Sequence, residues 1–227
     1  IYTASSEGVW IHLYVQSRVT IDIDEISVIL VQQTDYPWNG NVKIYVKPES
    51  RRMFSVFLRI PGWSSKSEVL VNGKPIHQPI RAGSYLELRR SWKYGDEIQL
   101  VLSMPIEQVI CHPYVMENQD RVALRRGPLI YCVEQVDNPD YDVWNLFLPS
   151  DSHMVALWKP DLLKGVVVIS GEGYVADNEI NGQLYRVETR SSVKMRRVRF
   201  TAIPYFAWAN REPGPMTVWI RSLMLSQ

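Results

Sequence analysis

Alternation of apolar and polar residues with a period of two constrains this chain more than any other feature. Val42, Ile44 and Val46 alternate with Lys43, Tyr45 and Lys47. Phe54, Val56, Leu58 and Ile60 oppose Met53, Ser55, Phe57 and Arg59, and Ile98, Leu100, Leu102 and Met104 repeat the pattern. Val9, Ile11, Leu13 and Val15 stand against Trp10, His12 and Tyr14 in the same way. Successive side chains of a strand point to opposite faces, so each such run buries one face and wets the other. No segment keeps a 3.6-residue apolar period over three turns. Turn chemistry separates the runs. Asn72-Gly73 lies between Val69, Val71 and Ile76, and a two-residue hairpin loop needs positive φ at both central positions. Tyr94-Gly95-Asp96 introduces another strand, and Asn181-Gly182 marks a later turn. The expected fold class is all-β, built of antiparallel, jelly-roll-like β-sandwiches.

The length of 227 residues suits one large β domain or two of ordinary size. Met104-Pro105-Ile106 predicts a break, because proline withholds a ladder donor and biases the residue before it. Two sandwiches are therefore expected, over 1–105 and 106–227. In the second, strands are predicted at 121–125 and 129–134 around Arg126-Gly127-Pro128, then at 166–170, 184–188, 195–203 and 216–221. The stretch from Val136 to about Lys164 is too long for a structureless loop, and predicts short strands or a covering segment.

A net charge of +1 offers no field for nucleic acid or an anionic membrane, and no apolar run approaches the ~20 residues of a membrane span. Neither partner is expected. The chain starts at Ile1 without Met or a leader, which suggests processing or a cut from something longer, and leaves localisation unknown. Two cysteines, Cys111 and Cys132, are too few for a disulfide framework, and their apolar surroundings predict buried free thiols.

No constellation for chemistry emerges. His12, His77, His112 and His153 lack metal spacing, and the adjacent Cys111 and His112 would point to opposite strand faces. Asp22, Asp24 and Glu25 form an acidic cluster that reads as a solvated strand face ending in a turn rather than a cation site. Gly171-Glu172-Gly173 lacks the third glycine and the helix that phosphate binding uses, and Ser64-Ser65 lacks a nucleophile elbow. No spacing selects a glycosidase carboxylate pair. No catalytic, cofactor-binding or metal residue is therefore assigned. Among eight Trp and twelve Tyr, the bulky Trp10, Trp63, Trp92, Trp208 and Trp219 are expected to fill sheet interiors rather than serve as sugar platforms. Trp10, Tyr14, Trp38 and Trp208 are also the candidates for a face left exposed without a partner. Arg59, Arg126 and Arg211 sit beside turn residues, where a rigid guanidinium fork anchors structure.

One ordered set of motifs carries a resemblance. Thr34-Asp35-Tyr36-Pro37-Trp38-Asn39-Gly40 is followed by Arg59-Ile60-Pro61-Gly62-Trp63, Val71-Asn72-Gly73, and Trp92 with Gly95-Asp96. Arg126 through Glu134, Pro204 through Arg211, and Met216-Thr217-Val218-Trp219 complete the series. Together they resemble the bacterial β-L-arabinofuranosidases of glycoside hydrolase family 127 over roughly residues 1–220. The resemblance implies an upstream (α/α)6 barrel with a zinc-bound cysteine nucleophile in a Cys-Cys-Pro motif and a glutamate acid/base. Nothing here matches that motif, so zinc is expected upstream and no catalytic role falls on Cys111 or Cys132. The resemblance makes this chain a non-catalytic accessory region that supports the barrel, and the parent a bacterial hydrolase of L-arabinofuranosides from plant glycans, in cytoplasm or periplasm. A free-standing carbohydrate-binding module and a homodimer contact are the alternatives.

Overall fold

The computed structural model describes residues 1–176 and 194–223. The predicted turn at Asn181-Gly182 and the strand at 184–188 lie outside the described residues. The described residues are nearly all β, and the chain divides into two compact units, Ile1–Pro105 and Ile106–Gln227.

The first unit has ten strands: β1 (Tyr2–Ser5), β2 (Gly8–Ile11), β3 (Ser17–Ile23), β4 (Ile26–Thr34), β5 (Asn41–Pro48), β6 (Arg52–Ile60), β7 (Ser67–Val71), β8 (Lys74–Pro75), β9 (Ser84–Trp92) and β10 (Asp96–Leu102). They form a four-stranded sheet, β1-β2-β6-β9, and a six-stranded sheet, β3-β4-β5-β10-β7-β8. Alternation decides which face goes inward. Leu30, Val42, Ile44, Val46, Ile98 and Leu100 of the larger sheet share one cluster with Val9, Ile11, Val56, Leu58 and Leu88 of the smaller. Burying each such side chain contributes ~1.5–3 kcal/mol, and cutting Leu58 to Ala would cost ~2–5 kcal/mol. Trp92 is fully buried, and its indole N–H donates to the carbonyl of Phe54 at 3.0 Å, so its one polar atom is satisfied. The Asn72-Gly73 hairpin stands as predicted, with φ of 52° and 74° and Val71 paired to Lys74.

Two readings of this unit are corrected. Strand β2 ends at Ile11, so the face assignment fails beyond it: Leu13 and Val15 are exposed, and Tyr14 is buried in the core. The hydroxyl of Tyr14 donates to the carbonyl of Arg59 at 2.6 Å, which replaces the water it loses. The pairing is also not wholly antiparallel, since β2 runs parallel to β6.

The second unit has β11 (Ile106–Val109), β12 (Arg121–Arg126), β13 (Leu129–Glu134), β14 (Leu146–Pro149), β15 (Met154–Lys159), β16 (Val166–Ala176), β17 (Met195–Pro204), β18 (Met216–Thr217) and β19 (Trp219–Leu223). The stretch after Val136 thus carries the short strands β14 and β15. A sandwich was expected here; the pairing instead closes on itself. β12 bonds to β19, β19 to β14, β14 to β16, β16 to β17, β17 to β13, and β13 back to β12. This is a six-stranded barrel, and the link that closes it is the parallel pairing of β14 with β19. Closure leaves no free edges on those six strands. Every barrel strand sends residues inward: Leu124, Tyr131, Leu146, Ile169, Phe200 and Ile220 belong to one cluster. Gly171-Glu172-Gly173 is part of β16, not a loop. A Cβ at Gly171 would sit 2.8 Å from the Phe200 ring, so this glycine makes room for a fully buried aromatic of the barrel interior.

Candidate functional site

The residues singled out by sequence fall into several separate places. His12 accepts or donates between Thr3 Oγ1 at 2.8 Å and the Tyr85 hydroxyl at 2.5 Å, while His77, His112 and His153 are exposed. Asp24 lies in a positive-φ turn with Glu25, not on a strand, and pairs with Arg52. Ser64 is buried and bonds to the Ser67 hydroxyl and the Lys66 carbonyl. Cys132 is buried, and burial, reinforced by the negative charges of Glu134 and Asp137, pushes its thiol up to about 12. Cys111 departs from expectation: it is half-exposed, beside the irregular segment after β11. Among the described residues no three His, Cys, Asp or Glu side chains converge on one point.

In the first unit, two motifs meet. The Thr34 hydroxyl donates to the Asn41 carbonyl and accepts from the Tyr36 N–H, and the Asn39 side chain accepts from the Asn41 N–H. The Trp38 N–H closes the turn on the Asp35 carbonyl at 2.8 Å. Tyr36 then stacks on Trp63 and meets Tyr14 edge-on. Gly40 is required by space alone, since a Cβ there would lie 1.9 Å from the Leu102 carbonyl oxygen. The polar cleft of about 400 Å³ beside this turn is lined by side chains such as Gln33, Asp35 and Lys43. Trp38 is half-buried, as are Trp10, Trp63 and Trp219, so among the five tryptophans expected inside only Trp92 is fully enclosed.

The densest polar arrangement belongs to the second unit, and sequence reading missed two of its three members. Arg211 donates to Glu134 Oε2 at 2.6 Å and to both Asp137 oxygens at 2.5 Å. Side-chain exposure is 19% for Arg211, 6% for Glu134 and 13% for Asp137. The hydrogen bonds that Arg211 donates to Asp137 hold the guanidinium charged against the opposing effect of burial, and the one to Glu134 adds to them. The other Glu134 oxygen accepts the Ala209 N–H. Two carboxylates side by side suggest acid/base work, but here both are occupied by one cation and a backbone donor. The available signal was Glu134 itself, ending a strand whose neighbours Tyr131, Cys132 and Val133 are all buried. A carboxylate at such a position demands a counter-charge. From this clamp the loop runs back through Trp208 to Tyr205, whose rings stack at 5.9 Å. Trp208 is 41% exposed, against the expectation of a core tryptophan.

Residues 8–104 match the model of the β-L-arabinofuranosidase GH127 middle domain, and residues 106–221 match the glycoside hydrolase family 127 C-terminal domain. The chain belongs to glycoside hydrolase family 127. A non-reducing end β-L-arabinofuranosidase of Bifidobacterium longum subsp. longum is 38% identical over 202 residues, which is 84% of this chain and 30% of that protein. The crystal structure of a GH127 β-L-arabinofuranosidase from Geobacillus stearothermophilus T6 superposes with a TM-score of 0.91 at 42% identity, over 98% of this chain and 35% of that one. A further GH127 β-arabinofuranosidase structure matches at 28% identity with a TM-score of 0.87, over 97% and 36%. The chain thus spans about a third of the length of these family 127 relatives. The family expected from the ordered motifs is the one matched.

Proposed function

We propose that this chain is the non-catalytic accessory portion of a family 127 glycoside hydrolase. It supports an upstream (α/α)6 barrel that carries the reaction, with the first unit as a jelly-roll-like sandwich and the second as its closed barrel. The observation that carries this reading is the match to the family's middle and C-terminal domains over a third of the relatives' length. The polar chemistry within the chain agrees with it. Glu134 and Asp137 are saturated by Arg211, the Cys132 thiol is held protonated, and zinc has no set of converging ligands among the described residues. Zinc and the nucleophile then belong to the upstream part, and the parent acts on β-L-arabinofuranosides, the substrates that the relatives' names give for those proteins.

The test is activity on an aryl β-L-arabinofuranoside by the intact protein and by the 227-residue chain. The intact protein should turn over and the chain should not. Turnover by the chain that vanishes on substituting a residue within 1–227 would sink the reading.

A further inference from the structure

Tyr205, Phe206 and Trp208 present three aromatic side chains to water on one loop, 45%, 62% and 41% exposed. Burying such side chains is favourable, and about half of that gain is forgone here. A loop that merely joined strands would need none of the three. This one is also held rigid. Its tip is a short 3-10 turn, Tyr205–Ala207, closed by the Trp208 N–H on the Tyr205 carbonyl at 3.1 Å. Ala207 is buried beneath it, and Asn210 donates to the carbonyls of Ala207 and Trp208. Ala209 adopts φ of 61° with its N–H on Glu134, and Arg211 locks the far end against Glu134 and Asp137. Ordering a surface in advance removes much of the entropic cost of binding, and aromatic anchors dominate binding energy where they occur.

We propose that the Tyr205–Trp208 loop is the surface on which the second unit docks against the part of the same protein that precedes the middle domain, and that the Arg211–Glu134–Asp137 clamp pre-sets its shape. This rests on the accessory reading and names its point of contact. The occupant follows from what lies outside the chain. The matched domains are the middle and C-terminal ones, and the chain covers only 30% and 35% of two relatives' lengths. A covalently joined partner meets the loop at a millimolar effective concentration, so a patch of three aromatic rings suffices. A second copy would have to bury ~800 Å² per partner without that help.

Hydroxyl-radical footprinting of the intact protein, read by mass spectrometry, tests it. Phe206 and Trp208 should oxidise at rates close to those of buried Phe54 and Trp92, at every protein concentration, while Arg211→Lys should raise the Trp208 rate several-fold. Rates that follow the exposures given above would overturn the proposal, as would protection that disappears on dilution, which would mean a second copy. An unchanged Trp208 rate in Arg211→Lys would overturn the role of the clamp. If the loop reacts freely while the exposed Ile110, Tyr114 and Met116 are silent, docking lies elsewhere and the accessory reading stands. If all of them react freely, both readings fall.

Discussion

Nη2 of Arg211 lies 2.6 Å from Oε2 of Glu134, a residue 77 positions earlier, and their side chains are 19% and 6% exposed. That contact ties the loop after β17 to the end of β13. Its value lies less in the attraction than in what its loss would leave behind. Arg211→Met would strand Glu134 and Asp137 without a counter-charge, at a cost of about 3 kcal/mol. Arg211→Lys keeps the charge but not the fork that reaches both carboxylates, so it should fall between. The denaturant midpoint of the second unit, followed by tryptophan fluorescence, checks the order. A Met variant as stable as the parent would mean that solvent screens the pair.

Two glycines of the first unit should fail for different reasons. Gly73 has open space around it but φ of 74°, so Gly73→Val should cost ~1 kcal/mol or more through the backbone alone. Lys74→Val, one residue on and exposed, should be nearly neutral. Gly40→Ala drives a Cβ to 1.9 Å from the Leu102 oxygen, in a place where the Leu102 N–H is itself bonded to the Gly40 carbonyl. It should therefore lower the melting temperature more than Gly73→Val does. The reverse order would mean that the strand beside Gly40 can shift.

These residues also mark what sequence could and could not tell. Asn72-Gly73 was legible because the requirement for positive φ acts on two adjacent residues. The inward faces of β5, β6 and β10 were legible because their period of two is unbroken. Tyr14 was not, because β2 stops at Ile11 and alternation has no meaning past the end of a strand. Barrel closure was not either. It depends on β14 pairing in parallel with β19, a contact between strands over 70 residues apart for which no local pattern exists. The ion cluster was half legible: Arg211 stood out beside its turn, but its partners were set by tertiary packing.

The accessory reading implies an inert chain. Purified alone, it should neither hydrolyse aryl L-arabinofuranosides nor retain zinc after dialysis, since on that reading the nucleophile lies in the upstream part and no three His, Cys, Asp or Glu side chains converge among the described residues. Elemental analysis showing one zinc per chain would point to Cys111 with its neighbours, and would reopen the assignment of the chemistry.

The two thiols should separate cleanly. At neutral pH a maleimide should label Cys111, which is half-exposed, and leave Cys132 untouched until denaturant is added. Cys132 also makes a prediction in alkali. Burial first, and then the charges of Glu134 and Asp137, raise its thiol from 9.0 to about 12, and burial raises the neighbouring Tyr131 from 10.0 to about 12. Both groups favour the protonated form when folded, so the unfolded chain loses its protons first. Stability is therefore fully present below about pH 9 and drains away as pH rises towards 12. Denaturant midpoints measured from pH 8 upwards should fall, and Cys132→Val should fall less steeply because only the tyrosine share remains. Parallel slopes for the two proteins would show that the Cys132 environment admits water.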